Sequence, residues 1–232
     1  MPPHLQTSGE KQITKIDDLY IDIGLPFEKA NELVTIGDII TFNTKATPLG
    51  SEYFAGAALD NRAGVVVLMA IIEKLIEEPT LDDIYFLASV QEETGLLGAK
   101  IGSFKIEPDM AIVIDVTHGT TPDAPQDKTF DCGKGSAICI SPSLNKLLTR
   151  QFIETAKKND LEVQFEVEPG NSGTNAWGMQ TQRGGIPCVL ASIPLKYMHT
   201  TVETLCISDI ENIAELIYRY ISEIGQEDLK CF

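Results

Sequence analysis

The sequence predicts an α/β fold with a mostly parallel sheet, and three observations support this. Predominantly apolar runs typical of strands buried on both faces occur at residues 83–91, 110–116 and 186–194. Helical patterns alternate with these runs from residue 57 onward, as expected for a parallel sheet with crossover helices. The chain has 232 residues and is 43% hydrophobic, which is enough to form a core of ordinary size.

Residues 1–50 differ from the rest of the chain. Two short β-like segments, 19–24 and 38–43, flank a helix that we expect Pro26 to begin. We therefore predict two domains, a small β-rich part at 1–50 and the main domain at 51–232.

The elements of the main domain follow in order. A buried helix with a charged C-terminal end is predicted at 63–78, followed by strands at 83–91 and 110–116. The terminal helix is expected to begin with a capping box, Ser208 and Glu211, and to end at Gly225. The remaining elements are an amphipathic helix at 141–160, an alternating strand at 161–168 and a buried strand at 186–194.

Charge and composition exclude several classes of protein. The net charge of −16 argues against nucleic acid and anionic membrane surfaces as partners, because both require a basic face. The start of the chain has no secretory signal pattern, and no apolar run is long enough to span a bilayer. Five cysteines without a C-x-x-C spacing argue against a disulfide framework. We expect a cytoplasmic protein.

Acidic residues and one histidine follow the predicted strands. Ligands bind beyond the carboxyl ends of the strands in α/β sheets, so this edge is the expected site. Such side chains suit Zn²⁺, Co²⁺ or Mn²⁺, and of two adjacent glutamates one can bind metal while the other moves protons. The candidates are Asp60 before the first long helix, Glu92 and Glu93, Asp115, and His199.

Each candidate also has an ordinary structural alternative. Asp60 is a suitable helix N-cap, and Asp115 fits a strand that has already reached a loop. Glu92 and Glu93 fit the end of a strand that meets water, and His199 fits a surface histidine. Other chemistries lack their motifs, since there is no G-x-S-x-G, no P-loop, no G-x-G-x-x-G and no H-E-x-x-H. A glycoside hydrolase would need an aromatic platform, and Trp177 is the only tryptophan.

Five motifs, in this order, resemble those of the TET-type dinuclear-metal aminopeptidases, the glutamyl and deblocking aminopeptidase family. They are "ALDNRAG", "QEETGLLGA", "VIDVTHG", "SGTNAW" followed by "GGIPC", and "PLKYMHT", and the resemblance covers nearly the whole chain. The resemblance implies an aminopeptidase-like three-layer sandwich of the phosphorylase/hydrolase-like type. It further implies hydrolysis of N-terminal residues from peptides and a homo-oligomer. Residues 1–50 would be the remainder of the oligomerisation domain.

The resemblance also implies a role for each candidate residue. Asp60 would bridge two divalent ions, Zn or Co and possibly Mn, and Glu92 would be the general base. Glu93, Asp115 and His199 would be the other metal ligands.

The sequence departs from the family pattern at two places. No His-x-Asp motif is present, so we expect one of the two metal sites to be incomplete and the first strands of the sheet to be missing. Their loss would expose apolar surface and a sheet edge. His118 is a candidate replacement ligand, whereas His4 falls in the small domain. Asn175 stands where the family commonly has Asp.

Two further hypotheses therefore remain open beside the aminopeptidase. One is a truncated, catalytically impaired homologue that binds one metal or none. The other is an amidohydrolase or deacylase on the same scaffold.

Overall fold

A computed structural model describes residues 15–224 of the chain, which divides into two compact units at 1–42 and 43–232. In the described part of the first unit a 3₁₀ turn at Ile16–Asp18 precedes helix α1, Phe27–Leu33. Pro26 is the N-cap of α1, with φ of −60°, which confirms the predicted start of this helix. The β-like segments 19–24 and 38–43 are not strands, so that prediction was wrong.

The second unit contains seven strands and five helices among its described residues. The strands are β1 Thr47–Leu49, β2 Tyr53–Gly56, β3 Ala111–His118, β4 Ala137–Ile140, β5 Gln164–Val167, β6 Cys188–Lys196 and β7 Glu203–Cys206. The helices are α2 Leu59–Glu77, α3 Leu97–Ile106, α4 Lys146–Lys158, α5 Asn175–Met179 and α6 Ile207–Glu223. None of the helices in residues 15–224 is long and apolar enough to cross a bilayer.

All seven strands belong to one sheet, which is mixed. The strand order is β1-β2-β7-β6-β4-β5, and β3 pairs with β6. The pairs β3–β6 and β4–β5 are parallel, and the other pairs are antiparallel. The α/β class is therefore confirmed, although we expected a mostly parallel sheet and only two of the six strand pairs are parallel.

Helices cover the two faces of the sheet, which gives the expected three layers. Along β6 the odd-numbered side chains, such as Val189 and Ile193, pack in one core with helices α2, α4 and α6. The even-numbered side chains Cys188 and Leu190 pack in a second core with Ala176 of α5. This period of two follows from the pleat of a strand that is buried on both faces.

The segment at 83–91 was predicted to be a buried strand, and the structure does not bear this out. It pairs with no strand of the sheet, and Tyr85 and Val90 are 64% and 67% exposed. Apolar composition alone does not make a strand, because a strand needs a neighbour to satisfy its backbone groups.

Two further expectations were wrong in detail. Helix α2 buries only one face, with Val67 fully buried and Met69 57% exposed. Helix α6 has Cys206 as its N-cap and no side-chain cap, so Ser208 and Glu211 do not form a capping box. Gly225, the expected end of α6, lies outside the described residues.

Candidate metal centre

Three of the predicted site residues meet beside the sheet. His199 Nε2 lies 3.1 Å from Asp60 Oδ2 and 3.7 Å from Glu93 Oε1. One potential ligand atom from each residue lies within 4.8 Å of the other two. The Asp60 side chain is largely buried, whereas those of Glu93 and His199 are exposed. The cluster therefore has a solvent-facing side through which an ion or substrate can enter.

Each member of the cluster comes from a different connection of the chain. Asp60 lies at the start of α2, and the peptide bond that follows it is cis. Glu93 lies in a turn at 92–95 that is closed by a hydrogen bond from Gly95 N to the Glu92 carbonyl. His199 lies in the turn after β6, with a left-handed φ of 61°. Three separate connections of the chain thus position the three residues.

Glu203 joins two of these connections, and sequence reasoning missed it. This residue begins β7 and is 2% exposed. Its Oε2 accepts hydrogen bonds from the backbone N–H groups of Leu59 and Asp60, at 2.6 and 3.2 Å. Its Oε1 accepts one from His199 N at 2.8 Å. One buried carboxylate therefore fixes the backbone of Asp60 and of His199 relative to each other.

Asp115 lies close to the cluster but is not part of it. Its Oδ1 accepts hydrogen bonds from Val116 N at 2.9 Å and from Asn61 Nδ2 at 3.3 Å. Asn61 Nδ2 also donates to the Ile114 carbonyl, so this amide connects the start of α2 to β3. Burial raises the pKa of Asp115 to about 7, and the nearby carboxylates of Glu92 and Asp60 add to the rise.

Excess negative charge also affects the other carboxyl groups. Burial raises the pKa of Asp60, the Glu93 carboxylate raises it further, and His199 opposes the rise. The pKa of Glu92 is raised by burial and then by Glu93 and Asp60. Several carboxylates thus share a region without enough positive charge to compensate them. A bound cation would reverse this effect by favouring their ionised forms.

The remaining candidates lie elsewhere. His118 is exposed at the end of β3 and is outside the described cluster, so the structure does not support it as a replacement ligand. Burial raises the pKa of Glu166, and the hydrogen bond from Thr117 and the nearby His118 oppose this rise. Asn175 donates from Nδ2 to Ser89 Oγ at 3.2 Å. His4 lies outside the described residues.

The donor set suits a borderline divalent metal ion. One imidazole nitrogen and two carboxylates within a few ångströms match the protein ligands of a zinc site with an open coordination position. Co²⁺ and Mn²⁺ accept the same donors. Within residues 15–224 the cluster gives one such three-residue group. Asp115 is the one predicted ligand outside this cluster that lies close enough to contribute to a second metal ion.

Comparison with known proteins shows the family. The M42 glutamyl aminopeptidase family matches residues 1–216, and the chain belongs to this family. It is 35% identical to a lysyl aminopeptidase of Pyrococcus furiosus over 232 residues, which is 98% of this chain and 66% of the relative. The chain thus spans about two thirds of the length of the curated relatives that it matches.

Solved structures support the same assignment. A TET aminopeptidase from a marine sediment Thaumarchaeota archaeon has a TM-score of 0.89 and 29% identity, covering 99% of this chain and 67% of that one. The TET1 peptidase of Pyrococcus horikoshii has a TM-score of 0.82 and 33% identity, covering 97% of this chain and 67% of that one. That protein assembles into a tetrahedron or a large octahedral shell. The α/β sandwich inferred from the ordered motifs is therefore confirmed.

Proposed function

We propose that this chain forms the catalytic part of a metal-dependent aminopeptidase that removes N-terminal residues from peptides. The convergence of Asp60, Glu93 and His199 carries the proposal, because these residues come from three separate connections. Membership of the M42 family supports the same activity. In this proposal residues 51–232 are the catalytic domain, and residues 1–50 are the remainder of a β-rich oligomerisation domain.

The proposed roles follow from the position of each side chain. Asp60, Glu93 and His199 would hold one divalent ion, and Asp60 with Asp115 would contribute to a second. A bound ion of this kind polarises a scissile carbonyl and acidifies water. Glu92 would take a proton from the attacking water and return it to the leaving amine. Its raised pKa suits this work, because a base is most effective when its pKa approaches the working pH.

Glu93 and Glu92 can divide the work between ligand and base because their environments differ. The Glu93 carboxylate lies 3.7 Å from His199 and belongs to the cluster. Glu92 lies outside the cluster but interacts electrostatically with Asp60, Glu93 and His199. A carboxylate close to an ion but not ligating it retains free lone pairs for a proton.

We further propose a homo-oligomer in a reducing, cytoplasmic compartment. The TET1 peptidase of Pyrococcus horikoshii assembles into a tetrahedron or a large octahedral shell. The first unit of this chain exposes large apolar side chains, such as Tyr20 at 89% and Ile39 at 91%. Exposed apolar groups in such number are typical of an interaction surface. The described cysteines 132, 139, 188 and 206 are free thiols, as expected in a reducing compartment.

The substitution Glu92→Gln tests the proposed mechanism. We expect it to preserve metal binding and to lower peptidase turnover at least about 100-fold, the usual worth of a general base. Glu73→Gln is the matched control, since Glu73 is an exposed glutamate of α2 away from the cluster. Hydrolysis of aminoacyl-coumarin substrates and metal content would be measured for both variants. Wild-type turnover in the Glu92→Gln variant would rule out this role.

A specific observation favours a second candidate, the impaired homologue. The described cluster contains three ligands, and Asp115 is not among them. This candidate predicts at most one tightly bound ion per chain. It also predicts no turnover, either by residues 1–232 alone or by the protein as its own cells make it. The aminopeptidase proposal predicts turnover in the protein as its own cells make it. Measuring activity in both preparations separates the two.

A further inference from the structure

The turn that carries Glu92 and Glu93 has a backbone that its surroundings must hold in place. Gln91 before the turn and Leu96 after it both have left-handed φ values, 59° and 61°. Residues other than glycine rarely adopt this conformation, and they keep it only where neighbouring groups stabilise it. The two glutamates of the proposed mechanism thus project from a segment whose shape depends on contacts outside it.

Backbone hydrogen bonds supply part of this support. Gly95 N and Leu96 N both donate to the Glu92 carbonyl, at 3.1 and 3.0 Å. Gly98 N donates to the Val90 carbonyl at 3.0 Å. These bonds close the turn where helix α3 begins. The Gly95 carbonyl takes no part in them, and its partner is a side chain.

The partner of the Gly95 carbonyl is Lys100, whose Nζ donates to it at 2.9 Å. Lys100 lies one helical turn after Leu96, the N-cap of α3. A helical side chain leans towards the N-terminus of its helix, so the ammonium group reaches back past Leu96 to the turn. Positive charge is disfavoured at a helix N-terminus. Helix stability therefore does not account for this position of the ammonium group, whereas the bond to the turn does.

Helix α5 packs against the stem of Lys100. A Cβ on Gly178 would lie 3.0 Å from Lys100 Cε and 3.1 Å from Leu96 Cβ, so the lack of a side chain lets the α5 backbone approach this closely. The same helix contacts the other flank of the turn, where Asn175 Nδ2 donates to Ser89 Oγ at 3.2 Å. One short helix thus braces both sides of the segment and restricts the conformations open to the lysine side chain.

Lys100 contacts the backbone of the turn and not its carboxylates. Within residues 15–224 it forms no ion pair with Glu92 or Glu93, whereas Glu93 Oε1 lies 3.7 Å from His199 Nε2. An effect of Lys100 on the site would therefore pass through the geometry of the turn.

We propose that Lys100 is a positioning residue, which fixes the backbone from which Glu92 and Glu93 project. Its effect on turnover rests on the proposed function, in which one glutamate is the base and the other a metal ligand. Both share the turn, so a movement of its backbone would displace both relative to Asp60 and His199. A displacement of about 1 Å can lower a reaction rate about 100-fold.

The substitution Lys100→Met tests this role, because it removes the donor and keeps an apolar stem. In the protein as its own cells make it, we expect kcat for aminoacyl-coumarin substrates to fall about tenfold or more. KM should change less than about threefold, since the misplaced groups act on the transition state. Lys100→Arg retains a donor and should recover most of kcat. Lys105→Met is the matched control, since Lys105 is an exposed lysine near the other end of α3.

Amide hydrogen exchange gives a second readout that does not depend on turnover. The amides of Gly95 and Leu96 donate to the Glu92 carbonyl and so report whether the turn is closed. We expect both to exchange about tenfold faster in Lys100→Met than in wild type, and at the wild-type rate in Lys105→Met. The amide of Val113, in the β3–β6 ladder, should be unchanged in every variant and so reports that the sheet is intact.

Three results would overturn the proposal. Wild-type exchange at Gly95 and Leu96 in Lys100→Met would mean that the lysine does not hold the turn. Faster exchange with wild-type kcat would mean that the turn is held without a consequence for the reaction. A kcat that Lys100→Arg does not recover would contradict a role as donor to the carbonyl. Absence of turnover in wild type would refute the proposed function, and the exchange rates alone would then decide whether Lys100 holds the turn.

Discussion

The substitution Glu203→Gln tests whether one buried carboxylate holds Asp60 and His199 in place. The wild-type carboxylate is 2% exposed and accepts three backbone hydrogen bonds, from Leu59, Asp60 and His199. Glutamine has almost the same shape, but only one of its two terminal atoms can accept. At least one N–H group must therefore lose its partner and face an NH₂ group.

The cost can be worked out from these contacts. A hydrogen bond to a charged group contributes about 1.5–3 kcal/mol, and a buried donor left unpaired costs about 1–3 kcal/mol. We expect the free energy of unfolding of the metal-free chain to fall by about 3 kcal/mol. The affinity for Zn²⁺ should also fall about 10–100-fold, as is usual when a group that orients a ligand is changed.

Urea denaturation followed by circular dichroism measures the first quantity, and competition with a fluorescent zinc chelator measures the second. Glu73→Gln is again the matched control and should change neither. If Glu203→Gln had wild-type stability and wild-type zinc affinity, Glu203 would not hold Asp60 and His199 together, and the reasoning would fail.

Two further predictions concern other parts of the fold. Burial raises the pKa of Asp209 to about 6 from 3.8, although two backbone N–H groups of the loop before β4 oppose the rise. A folded-state pKa above the unfolded value means that its contribution to stability is complete below pH 3.8 and is lost as the pH rises through 6. The free energy of unfolding of wild type relative to Asp209→Asn should thus fall by up to about 3 kcal/mol between pH 3.8 and 6. Urea titrations that give the same difference at both pH values would refute this prediction. Gly98→Ala places a methyl group against the Val90 backbone and should cost about 2 kcal/mol in the same assay, so an unchanged unfolding midpoint would contradict the packing of α3.

The sequence predicted the site better than it predicted the segment beside it. Asp60 and His199 were identifiable because each adjoins an element that the structure contains, helix α2 or strand β6. Glu93 was identifiable because it is one of two adjacent glutamates. Glu203 was missed because a glutamate at the start of a short strand looks like a solvent-exposed residue. Only the structure shows that the backbone N–H groups of Asp60 and His199 share Glu203 as their hydrogen-bond acceptor.

The segment 83–91 was misassigned for a different physical reason. Its apolar composition is typical of a buried strand, but strand formation depends on partners that the composition does not reveal. In the structure it pairs with no strand of the sheet. The segment therefore has a strand-like sequence without a neighbouring strand among the described residues.

The predicted capping box at Ser208 and Glu211 does not form because the helix begins before Ser208. Strand β7 runs directly into α6, so the helix begins at Ile207 and Cys206 takes the N-cap position. A serine already inside the first turn cannot serve as the cap. Tertiary pairing of β7 with β2 and β6 sets this boundary, and local sequence preference does not.

The metal stoichiometry of the chain tests the central claim most directly. Native mass spectrometry and calorimetric titration with Zn²⁺ would be applied to wild type, His199→Ala and His118→Ala. We expect wild type to bind Zn²⁺ tightly at the Asp60–Glu93–His199 cluster. Binding should weaken at least about tenfold in His199→Ala and remain unchanged in His118→Ala, an exposed histidine outside the cluster. Zinc binding that survives His199→Ala, or that is lost in His118→Ala, would contradict the account.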